Sequence, residues 1–360
     1  MFTAAARAAG HPAPRVLPWR QVLCGDYEFE PGELVRIDSP GENAEVDRLL
    51  RDVEDPTRVE GTARWHRRFT AAVREVAESA RRAGSSACAD PEEIAVMFDK
   101  RRCHARLAAA RVPVPAALPG PVDGWDRLKA ELAAAGITRA FVKPAHGSSA
   151  SGVLALTLAG PGRVQATTSV ERGPGGRLFN SLRVRRYTAE TEIAALVDAL
   201  APDGLQVERW VPKSSLDGRA ADLRVVVVAG RATHAVVRTS RHPMTNLHLG
   251  GRRGDLGSVR RAIEAAGGDF TEVLDTAEGA AACFPGTLCV GVDILPGLRW
   301  RRFAVGEVNA FGDLLPGLTG LPGSGAEGLD TYAAQVAATT ARATRPRRGT
   351  PPVSPGAAPP

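Results

Sequence analysis

Apolar and polar positions fall into blocks whose period changes along the chain. DLRVVVVAG (222–230) and RATHAVVRTS (231–240) are dense in β-branched residues and meet at Ala229-Gly230-Arg231, which predicts a tight hairpin. TLCVGVDIL (287–295) and RRFAVGEVNA (301–310), separated by Pro-Gly-Leu-Arg-Trp, predict a second one. Further strands are expected at 140–142, at 153–158 and in LQVERWV (205–211), with short extended runs at VLPW (16–19) and LVRI (34–37). Residues 163–177 are rich in Gly, Ser and Thr and read as a loop or a hairpin.

Helical spacing covers 65–82 and a segment opening at Asp90-Pro91-Glu92-Glu93, an acidic start with Pro at the first position. Another helix over 99–111 stops before Val112-Pro113-Val114-Pro115, where two prolines impose extended backbone. DRLKAELAAA (126–135) is closed by Gly136. Residues 189–201 and 332–341 are also expected to be helical, as is one long helix from the glycine-rich GGRRGDLGS (250–258) to about residue 282. Residues 1–15 and the tail 343–360, whose last part is RPRRGTPPVSPGAAPP, are expected to be disordered. The mixture of helices and hairpins is α/β in class, of the α+β kind.

Composition narrows the function. The net charge is +6, yet only four of the 46 basic residues are lysines: 100, 129, 143 and 213. Basic residues interleave with acids and aromatics are few, which argues against a nucleic-acid surface. Where arginine is the default cation, each lysine merits separate inspection. No apolar run of about 18 residues predicts a membrane span, and MFTAAARAAGHPAPR has no apolar signal core. Five cysteines without a CxxC pair favour reduced thiols and a cytoplasmic protein.

Candidate chemistry lies at strand ends. Glu307 and Asn309 are two apart and face the same side of a strand, and the turn brings Asp293 from its partner. Two carboxylates and an amide oxygen form a hard-oxygen set suited to Mg²⁺. Taken singly, such acids are more often solvated, but both strands are otherwise apolar. Lys143 ends a strand and precedes Gly147-Ser148-Ser149-Ala150-Ser151-Gly152, which joins one charge to several backbone donors. The Walker spacing is absent. Lys100 near a helix start is by itself an ordinary surface lysine, and Arg224 and Arg238 at the ends of the long hairpin fit either solvation or an anionic ligand. His248, in Asn246-Leu-His248-Leu-Gly-Gly251, reads as structural.

The order of DK, VPVP, FVKP with its small-residue loop, VERWV, DLRVVVV, NLHLGG, VGVDIL and GEVNAFGD resembles the ATP-grasp superfamily, and within it the RimK-like carboxylate–amine ligases. The resemblance spans 99 to 318. It implies a small N-terminal α/β domain (16–95), a central subdomain with a phosphate flap (96–206) and a C-terminal subdomain with a metal site (207–342), the two subdomains clasping ATP. By the same resemblance Lys100 and Lys143 contact ATP phosphates. Gly147, Ser148, Ser149, Ser151 and Gly152 form the flap, and Glu208, Arg209, Trp210 and Val211 the adenine hinge. Arg224 and Arg238 face the transferred phosphate, Asn246 sits beside the second substrate, and Asp293, Glu307 and Asn309 hold Mg²⁺, with Mn²⁺ as a substitute. The implied reaction activates a carboxylate as an acyl phosphate and joins it to an amine of a small molecule or peptide, among partner enzymes of a biosynthetic cluster. A nucleotide-binding module without ligase activity is the alternative. The chain departs from the RimK-like pattern in two places: Ala-Phe-Gly-Asp follows Asn309 in place of a Ser-Pro-Gly turn, and Leu249 stands where those ligases carry arginine.

Overall fold

The computed structural model describes residues 1–41, 43–147, 150–160, 162–312 and 317–344. The N-terminal part holds α1 (Phe2–Ala8), α2 (Trp19–Leu23), β1 (Leu34–Val35), α3 (Ala44–Arg51), α4 (Thr62–Arg82), β2 (Ser86–Ala87) and α5 (Pro91–Met97). Strands β1 and β2 pair in parallel. Asp90 caps α5 by accepting from the Glu92 and Glu93 N–H groups, as the acidic start predicts.

The middle of the chain holds α6 (Lys100–Ala109), α7 (Trp125–Ala134), β3 (Arg139–Pro144), β4 (Leu154–Leu158), β5 (Val164–Arg172), β6 (Leu178–Tyr187), α8 (Glu190–Leu200) and β7 (Leu205–Arg209). Its five strands run in the order β6-β5-β4-β3-β7. The C-terminal part holds β8 (Ser215–Leu216), β9 (Arg219–Val228), β10 (Arg231–Ser240), β11 (Arg252–Gly254), α9 (Leu256–Ala265), α10 (Thr271–Ala281), β12 (Cys289–Pro296), β13 (Phe303–Asn309) and α11 (Thr331–Thr344). Its strand order is β11-β10-β9-β12-β13, with β8 beside β9. Both expected hairpins form, and β9 pairs antiparallel with β10 on one side and β12 on the other.

Two cores organise these elements. Leu128 and Leu132 of α7 and Ile193 and Leu196 of α8 pack on one face of the middle sheet. The larger core joins Phe69 and Val73 of α4 to Val225 and Val227 of β9, Val292 of β12 and Val273 of α10. The N-terminal helices therefore share their apolar interior with the C-terminal sheet.

The expectations need correction in several places. Pro18 is followed directly by α2, so VLPW is not a strand. Residues 163–177, read as a loop or a hairpin, are mostly β5, the first arm of a long hairpin with β6, as the second of those readings has it. The single helix expected up to residue 282 is two, α9 and α10, broken where Gly267 takes φ +82°. Within GGRRGDLGS lies the short strand β11. The expected disordered start contains α1, whose Phe2 ring meets Tyr332 of α11 at 6.5 Å. Helix α11 runs to Thr344, and the remaining tail lies outside the described residues. No helix among the described residues is long and apolar enough to cross a membrane.

Candidate functional site

Strand register assembles the acidic part of the site. Arg224 of β9 lies opposite Asp293 of β12, which lies opposite Glu307 of β13. Neighbours in register share a face, so the three side chains stand in a row. Asn309, two residues along, shares it; its amide donates to the Gly291 carbonyl at 3.3 Å, leaving the side-chain oxygen as its remaining function. Asp293 is buried. It accepts from Arg224 Nε and, at 3.1 Å, from Arg224 Nη2, and pairs with Arg238 Nη2 at 2.9 Å. Burial alone would raise its carboxyl pKa; the Arg224 and Arg238 guanidiniums outweigh that and hold it below the usual carboxylate range.

A second acid extends the network. Asp222 lies opposite Arg238 in the β9–β10 ladder and accepts from its Nε at 2.8 Å. Lys213 Nζ stands 3.4 Å from Asp222 and 3.1 Å from Thr245 Oγ1, and the Thr245 hydroxyl also donates to Asp222. Burial lowers the Lys213 pKa, against the pull of Asp222 and with a further push from Arg238.

The middle sheet and α6 bring the other lysines. Asp99 caps α6, and the first residue of the helix, Lys100, places Nζ 2.6 Å from Glu307 Oε1 and 2.5 Å from the Gly147 carbonyl. Lys143 of β3 donates to Glu208 of β7 at 2.6 Å, and Gln206 donates to the other Glu208 oxygen at 3.4 Å. Burial pushes Lys143 towards the neutral amine. Glu208 outweighs it, with Glu307 and Asp293 adding, so the pKa is raised. That Lys143 feels carboxylates of the opposite sheet shows the two sheets facing one another here.

Ser148 and Ser149 lie outside the described residues. Gly147 supplies the carbonyl that Lys100 binds, and Ser151 is half-buried beside Gly152. Gly152 takes φ +74°, and a Cβ there would stand 2.5 Å from Pro144 Cγ, so this turn demands glycine. In the hinge Glu208 is buried, Arg209 exposed and Val211 half-buried. The Arg209 and Trp210 N–H groups donate to the Ala116 and Arg139 carbonyls. The Trp210 ring lies 3.9 Å from the Arg139 guanidinium and 5.1 Å from the Phe141 ring.

Asn246 does not join the charged row. Its side-chain oxygen accepts from the His248 N–H at 2.9 Å, folding back on its own turn, and its neighbour Thr245 reaches Asp222 instead. Sequence reasoning thus missed Thr245, Lys213 and Asp222 as site members. The scarcity of lysine was the available signal for Lys213: lysines 100, 143 and 213 all lie in this site, and Lys129 alone is on the surface with Glu190.

Lys100, Glu208 and Glu307 line a cavity of about 20 Å³, room for about one water and far below a nucleotide. Among the described residues no three His, Cys, Asp or Glu side chains form a ready cluster. Asp293, Glu307 and Asn309 nevertheless fit a hard cation, because two adjacent carboxylates and an amide oxygen share one face.

The chain matches no family model and no curated protein. Among solved structures it resembles the D-cycloserine synthetase DcsG, at 17% identity over 95% of this chain and 93% of that one, with a TM-score of 0.58. It also resembles the ATP-grasp ligase PsnB in complex with a minimal precursor, at 17% identity over 95% of this chain and 94% of that one, with a TM-score of 0.53. A further PsnB structure, with precursor, Mg and ADP, gives a TM-score of 0.51 over 96% and 94% of the two chains at 17% identity. Over nearly its whole length, the chain has the ATP-grasp fold.

Proposed function

We propose that the protein is a cytoplasmic Mg-ATP-dependent ligase of RimK-like type, which phosphorylates a carboxylate and joins it to an amine of a small molecule or peptide, within a set of biosynthetic partner enzymes. The observation that carries this reading is the facing of Lys100 and Lys143 by the row Arg224, Asp293, Glu307 across two sheets. Cations and hard-oxygen donors meet at one point, as phosphoryl transfer requires. PsnB structures with AMPPNP and with Mg and ADP lend support.

In this reading the middle subdomain (96–206) and the C-terminal subdomain (207–342) clasp ATP. Lys100 and Lys143 leave Glu307 and Glu208 and donate to phosphate oxygens, stabilising the charge that develops in transfer. Asp293, Glu307 and Asn309 hold the metal, Mg²⁺ or Mn²⁺, which when bound withdraws charge from the phosphates. Arg238 and Arg224 orient the acceptor carboxylate and the acyl phosphate it becomes. The Gly147–Gly152 flap excludes water, which would otherwise hydrolyse that acyl phosphate. The hinge 208–211 borders the adenine, and Asn246 lies at the second-substrate end.

Incubation with ATP, Mg²⁺ and pooled carboxylates and amines, followed by mass spectrometry, is expected to yield ADP, phosphate and a dehydrated adduct. AMP in place of ADP overturns the acyl-phosphate route. Calorimetric titration of Glu307→Ala is expected to lose Mg-dependent ATP binding; binding equal to that of the natural chain sinks the metal assignment.

A further inference from the structure

Lys213 belongs to the connection that follows β7, and the end of β12 fixes its place. It forms an isolated bridge with Gly297, and the neighbouring Ser214 N–H donates to the Pro296 carbonyl at 2.9 Å. The Ser214 hydroxyl donates to the Gly297 carbonyl at 2.6 Å and accepts from the Trp300 N–H at 2.9 Å. From this anchored backbone the lysine stem reaches inward to Asp222 of β9. Thr245 arrives from another direction, on the connection that follows β10.

The two side chains meet on one carboxylate oxygen. Asp222 Oδ2 accepts from the Thr245 hydroxyl and from Lys213 Nζ at 3.4 Å, and Nζ also donates to Thr245 Oγ1 at 3.1 Å. The other oxygen, Oδ1, accepts from Arg238 Nε at 2.8 Å. The side chains of Lys213, Asp222 and Arg238 are 5–9% exposed, and Thr245 is buried. A carboxylate held through one oxygen can turn about its broad terminal torsion; held through both, it is fixed. Lys213 and Thr245 therefore decide where Oδ1 faces, and with it where the Arg238 guanidinium lies.

Arg238 has a second hold, from Nη2 to Asp293 at 2.9 Å. In the ligase reading above, on which this inference rests, Asp293 passes to the metal and that hold is lost. Of the two acids, Asp222 then remains to orient the guanidinium, while the Nη groups face the substrate as a fork. We propose that Lys213 and Thr245 are positioning residues: they clamp Asp222 and through it keep Arg238 aimed at the carboxyl group and its acyl phosphate once the metal has taken Asp293. A compact ammonium suits this task, since it meets Oδ2 and Oγ1 together, where a planar fork would impose its own geometry.

The test follows the Arg238 Nε–H in the full chain labelled with ¹⁵N-arginine, its signal assigned by its loss in Arg238→Lys. With Mg²⁺ and AMPPNP present, hydrogen exchange at this group is expected to stay slow in the natural chain and in Thr245→Ser. In Lys213→Met and Thr245→Val it should run about tenfold or more faster. In the adduct assay with ATP, Mg²⁺ and pooled carboxylates and amines, the same two variants should lose about tenfold or more in rate, at an AMPPNP affinity equal to that of the natural chain. A merely structural role would lower stability in urea and leave exchange at Arg238 unchanged. The threonine pair decides the matter even if Lys213→Met does not fold. Equal exchange in the natural chain and Thr245→Val overturns the inference, as does equally fast exchange in Thr245→Ser and Thr245→Val, or faster exchange with an undiminished rate. Calorimetry with Mg²⁺ and AMPPNP comes first: if the natural chain does not bind them, the ligase reading falls and takes this inference with it, whereas binding with uniform exchange removes this inference alone.

Discussion

Replacing Asp293 by Asn separates the structural from the chemical part of the charged row. In the native fold Asp293 accepts from both Arg224 and Arg238, and the three side chains are only 9–12% exposed. The substitution keeps the volume and one acceptor oxygen but removes the charge that Arg224 and Arg238 share. Breaking a buried pair from one side costs about 3–5 kcal/mol, a large part of the roughly 5–15 kcal/mol that holds a domain folded. Glu307→Gln makes the contrast. That carboxylate is 32% exposed and its partner Lys100 13%, so solvent screening limits the loss to about 1 kcal/mol. Both variants should lose Mg-ATP binding, but only Asp293→Asn should be strongly destabilised. Urea unfolding followed by circular dichroism, without nucleotide, measures both. The reasoning fails if Asp293→Asn lies within about 1 kcal/mol of the natural chain or if Glu307→Gln falls as far. The pH dependence has a definite sign. Because the folded-state pKa of Asp293 is depressed, its stabilisation is complete above the unfolded value of about 3.9 and is lost as pH falls below it. The acid limb of the stability curve should therefore be shallower in Asp293→Asn.

Two further outcomes concern the flap. The His66 and His146 rings stack at 4.1 Å; burial first, and then the neighbouring His66, bring His146 down to about 4. An unfolded histidine titrates near about 6.5, so its contribution is full above that pH and is lost on acidification towards about 4. Unfolding free energy should fall by on the order of 2 kcal/mol over that window and stay flatter in His146→Gln; parallel curves refute the assignment. Gly152→Ala, with its Cβ forced against Pro144 and Val59, should lower stability by about 2 kcal/mol or more. Gly162→Ala, also at positive φ but in open space, should show only the backbone strain of about 1 kcal/mol; equal melting temperatures for the two variants contradict the steric account.

What could be read in the sequence was local. The β9–β10 hairpin, the Asp90 cap and the end of α6 before its prolines each depend on residues within one turn of each other, and each forms. The misses depend on distant partners. Helix α1 is supported by α11 at the other end of the chain, and β11 is a strand only because β10 lies beside it. Thr245 and Lys213 join Asp222 through loop placements that no spacing encodes.

The network also shows how one chain can bury so many cations. Lys100 is neutralised by Glu307, Lys143 by Glu208, and Arg224 and Arg238 share Asp293. Isolated, each would carry a desolvation penalty of several kcal/mol. In the proposed reaction these pairs do not break into bare charges; they exchange partners. Lys100 would pass from Glu307 to phosphate oxygens while Glu307 and Asp293 would hold the metal, so those charges keep an opposite charge throughout; Glu208, on losing Lys143, keeps the Gln206 amide. Such an exchange ties nucleotide and metal to one another: either alone strands half of the pairs. Binding of ATP without Mg²⁺ should therefore be weaker by more than the metal's own phosphate contact accounts for, and Glu307→Gln should abolish that excess, since its amide no longer needs a cation when Lys100 leaves. Titrations of ATP with and without Mg²⁺ on both chains measure the coupling; an unchanged excess in Glu307→Gln would mean that the Lys100–Glu307 pair is not what links the two ligands.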